Sequence, residues 1–304
     1  MHSTPVFAGG AGGEVTTGRS LVSNFVTAEQ EAARIPDLKS TMPTSKKTPP
    51  RGGVFVTSSV LGGRCMHPLI PWLVKKLYGH RFLKSMQKTC AVSTALSSVR
   101  MATYRSAATA AGFGAEEALA LYAWNARVSG ALLTPLHICE VVVRNAVADA
   151  IALIHGPSWP WISGFERSLL RCAGPGYNPL TDLQRLKSKR STADQIVAEL
   201  KFVFWEKMFT SRHDDRIWNS CLIQVFPNLE PANTTAENRK KLFENLNKVR
   251  LLRNRIAHHE PIFSRDLQAD FCIIIGLVEA RCRASASWML KQQHAPEVIA
   301  TKPF

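Results

Sequence analysis

"TAENRKKLFENLNKVRLLRNRIAHHEP" (residues 235–261) is the stretch from which the rest of this chain can be read. Residues are placed about 100° apart on a helical wheel with Leu242 at zero. Leu246, Val249 and Ile256 then all fall within about 40° of it. That is the apolar stripe of a core-facing helix, running from about residue 235 to 259 and halted by Pro261. Arg253 falls at about 20°, inside the stripe. A guanidinium there costs free energy unless it is paired or faces a polar cavity, so the wheel predicts that Arg253 is not a solvated surface charge. Asn254 and His258 stand four apart and share a face, with Asn247, Arg250 and Leu251 on the same side and His259 turned away. Helix C-termini also attract Arg and His through the macrodipole, so periodicity alone leaves open whether this end is a surface or a site.

The same 3.6-residue period runs through the chain from about residue 101. "AEEALALYAWNARVSGALL" (115–133) has strong helix formers and an acidic first turn, and Pro135 is read as the start of a second helix that Gly156 stops. "GPSWPWISG" reads as a loop, a short helix is expected over 164–172, and "GPGYNP" as a breaker. A helix over 192–213 is expected with Thr192 as N-cap and Gln195 in the capping-box position, followed by "DRIWNSCLIQVF" up to Pro227. "DLQADFCIIIGLVEARCRASASWMLKQQ" is read as the last long helix. Trp124, Trp205, Phe209 and Trp218 recur inside these segments and are read as core, with base-stacking platforms as the alternative. No stretch has a convincing strand period, so the predicted fold is an all-α bundle of five to seven helices.

Two domains are expected, an extension over 1–100 and a helical domain over 101–304. "FAGGAGGEVTTG" and "TMPTSKKTPPRGG" are rich in Gly, Pro, Ser and Thr and lack a sustained apolar period, so the extension reads as poorly ordered. Within it, "PLIPWLVKKLYGHRF" (68–82) has the pattern of a short amphipathic basic helix, and Met86 and Met101 are candidate alternative starts. The chain carries a net charge of +15, which favours a polyanionic partner. Residues 1–100 hold 13 basic and 4 acidic residues, so +9 of that excess lies outside the helical domain. The 7 cysteines are scattered without a C-x-x-C pair or a Cys/His cluster, which predicts reduced thiols and no structural zinc. No apolar run approaches the roughly 18 residues a membrane span needs, and no signal-peptide pattern opens the chain. The cytosol is the expected compartment, with no membrane partner.

The fragment Arg253-Asn254-x3-His258 resembles the R-x4-6-H motif of the HEPN superfamily of helical ribonucleases, with Asn directly after Arg. His259 also satisfies the looser spacing. "LYAWNARVSGALLTPLHICEVVVRNAV" (121–147), with its Tyr-x-Trp-Asn and Glu-x3-Arg-Asn, is similar to the Abi-like, or abortive-infection, branch of that superfamily. "AELKFVFWEKMFTSRHDDRIW" (198–218) and the "AHHEPIF" ending are similar to it as well. The resemblance covers roughly residues 115–280 and leaves out residues 1–100. It implies a HEPN-like helical bundle, commonly a dimer with two motifs facing across a shared cleft. It further implies metal-independent RNA cleavage in anti-phage defence or a toxin system, with a small RNA or an antitoxin as regulator and no cofactor.

The residue types suit that chemistry. Metal-free cleavage turns the ribose 2′-OH on the adjacent phosphate and needs a proton acceptor, a proton donor and cationic stabilisation of the phosphorane. Histidine can be acid or base near neutrality, and arginine offers a fork to phosphate oxygens. His258 is therefore the expected general acid/base, Arg253 the phosphate or positioning group, Asn254 the orienter, and Arg250 an RNA-backbone contact. His259 is expected to support or hold structure. Glu140 and Arg144 stand at i and i+4, where a helix-stabilising ion pair is the plain reading and a pairing with Arg253 or a place in the cleft the functional one. Asn145 is a supporting candidate on the same motif. "KSKR" (187–190) reads as a solvated basic turn or an RNA contact. The rival reading of the whole is a non-catalytic module of the same fold that binds RNA or protein, and a membrane-associated factor using 68–82 is a third.

Overall fold

The computed structural model describes residues 84–169 and 176–304, all within one compact unit spanning residues 66–304. The described residues form helices and turns, with no strand among them. Helical residues 84–95 lead into α1 (Ser98–Ala110) and then α2 (Ala115–His155). Shorter elements follow: a 3-10 turn at Trp159–Trp161, α3 (Ser163–Ser168), α4 (Pro179–Lys187), α5 (Ala193–Glu199) and α6 (Phe202–Met208). A 3-10 turn (Ser211–His213) and a π-turn (Asp214–Trp218) run into α7 (Asn219–Val225). The chain then forms α8 (Thr235–Ala257), α9 (Leu267–Arg281), α10 (Arg283–Lys291) and α11 (Ala295–Ala300). The all-α expectation holds. Residues 84–100 are helical apart from a short break, which corrects the reading of that part of the 1–100 extension as poorly ordered. Residues 1–83, including the 68–82 pattern, lie outside the described residues, as does 170–175 in the stretch expected to be helix over 164–172.

α2 is the spine. It packs along α9 and α1 and also meets α6, α7, α8 and α11. Its apolar positions Leu121, Trp124, Val128, Leu132, Leu136, Cys139, Val143, Ala146, Val147 and Ile151 are buried. Pro135 does not begin a helix as its position suggested; it lies buried inside this 41-residue one. Proline's fixed φ is already helical, and the interior penalty of about 3 kcal/mol is spread against the burial of one unbroken face. The predicted aromatic core is observed: Trp124, Trp205, Phe209 and Trp218 are buried, and the Phe209 and Trp218 rings stack at 4.5 Å.

Two expected long helices are divided. The segment 192–213 breaks at Leu200, whose φ of −61° and ψ of 134° are extended. Thr192 caps α5 by accepting from Gln195 N, but the Gln195 side chain accepts from Ser191 N instead of closing the box on Thr192. The last segment breaks at Cys282, with φ −158° and ψ 110°. Eleven α-helices therefore run from Ser98 to Ala300 among the described residues, more than the five to seven expected. α8 matches its prediction closely and starts with a full capping box, Thr234 accepting from Glu237 N and Glu237 accepting from Thr234 N at 2.8 Å.

A candidate site at the end of the eighth helix

The C-terminus of α8 ends in a Schellman motif, not at Pro261. His258 is the C-cap, and His259 follows in the left-handed region at φ 56°. His259 N donates to Ile256 O at 3.0 Å and Glu260 N to Arg255 O at 2.8 Å, the two bonds that define the motif. Histidine is among the few side chains enriched at such a φ. His259 is thus a terminator of the helix, in line with its expected structural role. Arg100 from α1 donates to the His259 carbonyl at 2.6 Å, and Asn125 of α2 accepts from Ile262 N at 2.8 Å inside the core. The turn that carries the two histidines is held from both sides.

Arg253 lies farther out than the helical wheel predicts. Its side chain is 44% exposed, although it is paired: Nε lies 3.6 Å from Glu140 Oε2 on α2, and Nη1 donates to Asn254 Oδ1 at 3.5 Å. The reason is a drift of the buried arc along α8. Leu252 at about −80° and Ile256 at about −40° are buried, while Arg253 at about 20° stands at the rim. A pair this exposed contributes about 0–1 kcal/mol. Glu140 therefore takes Arg253 as partner, and the i, i+4 pair with Arg144 does not form. Arg144 instead donates to the Ala198 carbonyl at 3.4 Å, and its Nε is buried without a partner among the described residues. Asn145, about 140° round the helix from Glu140, is exposed and makes no hydrogen bond among the described residues.

Arg250 is not available as the backbone contact the sequence suggested. Its Nε is ion-paired with Glu206 of α6, and its Nη2 donates to Asn247 Oδ1 at 2.9 Å. Glu206 has only 2% of its side chain exposed, so Arg250 supplies the counter-charge of a buried carboxylate. Asn254 spends its side-chain oxygen on Arg253 and its backbone carbonyl on His258 N at 2.9 Å, so it orients the arginine and not the imidazole. The exposed His258 imidazole takes no hydrogen bond among the described residues. Of the eight candidates, Arg253, Asn254, Glu140 and the cap residue His258 are brought to one edge of α2 and α8. In the "KSKR" stretch, Lys187 pairs with Glu166 at 2.8 Å and Arg190 with Glu199 at 2.6 Å.

Three supports escaped the sequence reading: Glu206, Asn125 and Arg100. Two had a signal. Asn125 interrupts the buried row Leu121, Trp124, Val128, and Glu206 interrupts "FVFWEKM". A polar residue in an apolar run has to find a buried partner. Arg100 had none, because its contact bridges 159 residues. No cluster of His, Cys, Asp and Glu suited to a metal ion occurs among the described residues. No family model matches the chain, and no curated protein and no solved structure matches it.

Proposed function

We propose that this protein is a HEPN-type, Abi-like endoribonuclease that cleaves RNA without a metal ion, as a homodimer, in an abortive-infection or toxin system. The observation that carries the reading is that an exposed His258 imidazole, unbonded among the described residues, and the Arg253 guanidinium, loosely held by Glu140 and Asn254, both lie in the last turns of α8. Arg253 still has Nη2 free of partners among the described residues and faces solvent, where a phosphodiester oxygen can reach it. His258 is free to take or give a proton. The motif supplies one acid/base candidate, His258, and in the proposed homodimer a second copy adds the complementary acid or base. The apolar side chain of Leu133, on the face of Glu140 two turns earlier, is half exposed, as is Leu251 on α8, and both suit contact with a second copy. No helix among the described residues is long and apolar enough to cross a membrane.

The test is a cleavage assay on wild type, His258→Ala and Arg253→Ala with EDTA present and product ends mapped. The expected result is a 2′,3′-cyclic phosphate product from wild type and a loss of about 10²–10⁴-fold in His258→Ala. Cleavage that needs Mg²⁺, or that survives in both variants, would overturn the reading. RNA binding without any cleavage by wild type would replace it with a non-catalytic module.

A further inference from the structure

At the C-terminal end of α2 lies a cleft of about 290 Å³ lined by His155, Gly164, Arg167, Ser168 and Arg216. His155 stands fifteen residues beyond Glu140 on the same helix, a separation of about 22 Å along its axis. We propose that this cleft is an anion site that binds a phosphoryl group, carried by inorganic phosphate or by a small phosphorylated molecule such as a nucleoside monophosphate.

Arginines reach it from two segments, the short helix α3 and the π-turn. The C-terminus of α2 adds the His155 imidazole, whose charging burial disfavours and which therefore serves as a neutral hydrogen-bonding group. No acidic residue lines it among the described residues. The carboxylates nearest in sequence are engaged elsewhere: Glu166 with Lys187 at 2.8 Å, Asp214 with Arg239 at 2.8 Å, and Asp215 with Asn219 at 2.9 Å. Arg167 and Arg216 have no carboxylate partner among the described residues. Both are exposed at the cleft, so their guanidinium groups are open to a ligand from solvent.

The cleft is also held in shape. Arg216 Nη1 donates to the Arg212 carbonyl at 2.9 Å, which fixes the guanidinium and leaves its remaining donors for a ligand. The His155 ring packs on Phe165 at 5.5 Å, and Phe165 packs edge-on against Trp159 at 4.9 Å. The 3-10 turn carries Arg212 and the π-turn that follows it carries Arg216 about one turn on, and such irregular turns recur at functional positions. Their combined positive field reaches the buried His213, where it adds to the effect of burial in keeping the imidazole uncharged. Arg212 Nε is buried with no partner among the described residues, in the same neighbourhood. The Ser168 hydroxyl is already donated to the Phe165 carbonyl at 2.7 Å, so recognition rests on the arginines and His155. Planar guanidinium groups converging from two elements suit the oxygens of a phosphoryl group. The volume sits at the small end of ligand sites, about 300–1,000 Å³, which favours a compact ligand.

Calorimetric titration of the full chain with inorganic phosphate, AMP and adenosine tests this. Phosphate and AMP should bind saturably and adenosine should not. The double variant Arg167→Ala/Arg216→Ala should weaken the affinity at least about tenfold, about 1.4 kcal/mol, with its thermal transition retained. Arg167→Lys/Arg216→Lys, which keeps the charge, should recover part of the loss. His258→Ala should leave the titration unchanged, which separates this site from the one at the end of α8. AMP binding above phosphate shows that the ligand extends beyond the phosphoryl group. Equal binding by the Ala double variant, loss of binding in His258→Ala, or adenosine binding as tightly as AMP overturns the proposal. Phosphate binding that never saturates, an adventitious ion only, overturns it as well.

Discussion

α8 sends two arginines, one turn apart, to two carboxylates, and the two pairs behave as different kinds of object. Arg250 meets Glu206 with 23% and 2% of the side chains exposed; Arg253 meets Glu140 with 44% and 25% exposed at 3.6 Å. The residue types are the same and the helix is the same. What separates them is depth. In the first pair a buried carboxylate has no alternative counter-charge of comparable geometry, since Lys207 stands 3.9 Å away, so the arginine is consumed by the fold. In the second pair both groups keep contact with water, so the arginine is held loosely and remains able to exchange its partner for a phosphate. A basic helix end is thus divided within four residues into a fastener and a candidate site.

The sharpest way to break this contrast is to remove the buried carboxylate. Glu206→Ala leaves Arg250 without its counter-charge and should cost about 3–5 kcal/mol in urea denaturation. Replacing both partners, Glu206→Met with Arg250→Met, should recover most of the loss, because an apolar pair of similar volume asks for no compensation. If Glu206→Ala costs no more than the same change at Glu140, depth does not distinguish the pairs.

His213 sharpens the comparison from the other side, as a buried titratable group with no counter-charge among the described residues. It is 1% exposed, and its Nδ1 lacks a partner there. Burial first, then the positive charges of Arg212 and Arg216, lower its pKa from 6.5 to about 4. In the folded chain His213 therefore stays neutral while the unfolded chain binds the proton first as the pH falls. Its stability is intact above the unfolded value and is lost as pH falls from 6.5 towards 4. The slope is about 1.4 kcal/mol per pH unit, roughly 3 kcal/mol in all. His213→Leu should show a shallower decline across that window in parallel urea titrations, and equal slopes would refute the assignment.

The same contrast shows how far the sequence could be read. Periodicity placed α8 within two residues of its observed end and put Leu242, Leu246, Val249 and Ile256 in the core, because each of those positions is decided by burial of one stripe. The N-cap at Thr192 was equally legible, since a cap bond spans only three residues. The breaks at Leu200 and Cys282 were not. Neither position holds Gly or Pro: Leu200 is buried in the core, and Cys282 caps the following helix by accepting from Ser285 N at 3.4 Å, a role that thiols seldom signal in a sequence. At the candidate site, spacing singled out Arg253, Asn254 and His258 but misjudged their surroundings. A wheel assumes one constant buried arc, whereas the arc on α8 shifts over its last two turns and leaves Arg253 at the rim. Arg250's fate was hidden for a plainer reason: Glu206 lies 44 residues away, beyond any local pattern.

At the exposed pair, Glu140→Gln should change stability by only about 0–1 kcal/mol, measured by the same denaturation. Its larger effect should appear in RNA binding. Removing the carboxylate frees the Arg253 charge for phosphate, so binding at low salt should tighten and its salt dependence steepen by up to about one phosphate contact. A loss of several kcal/mol in this variant would mean that the Glu140 pair is as structural as the Glu206 pair.

The smallest effect separates the two histidines. His259 holds φ 56°, a conformation that costs a non-glycine residue free energy and that glycine adopts freely. His259→Gly relieves that strain but adds flexibility to the unfolded chain, so the net gain should be a few tenths of a kcal/mol, up to about 0.5. The Schellman bonds run through the backbone and survive the change, as does the Arg100 bond to the residue 259 carbonyl. His258 therefore keeps its position at the cap. Under the proposed function, cleavage by His259→Gly should equal that of wild type, while His258→Ala loses it. A variant that is as stable as wild type yet inactive would move the acid/base role to His259, and the residue that ends the helix would then also be the one that does the chemistry.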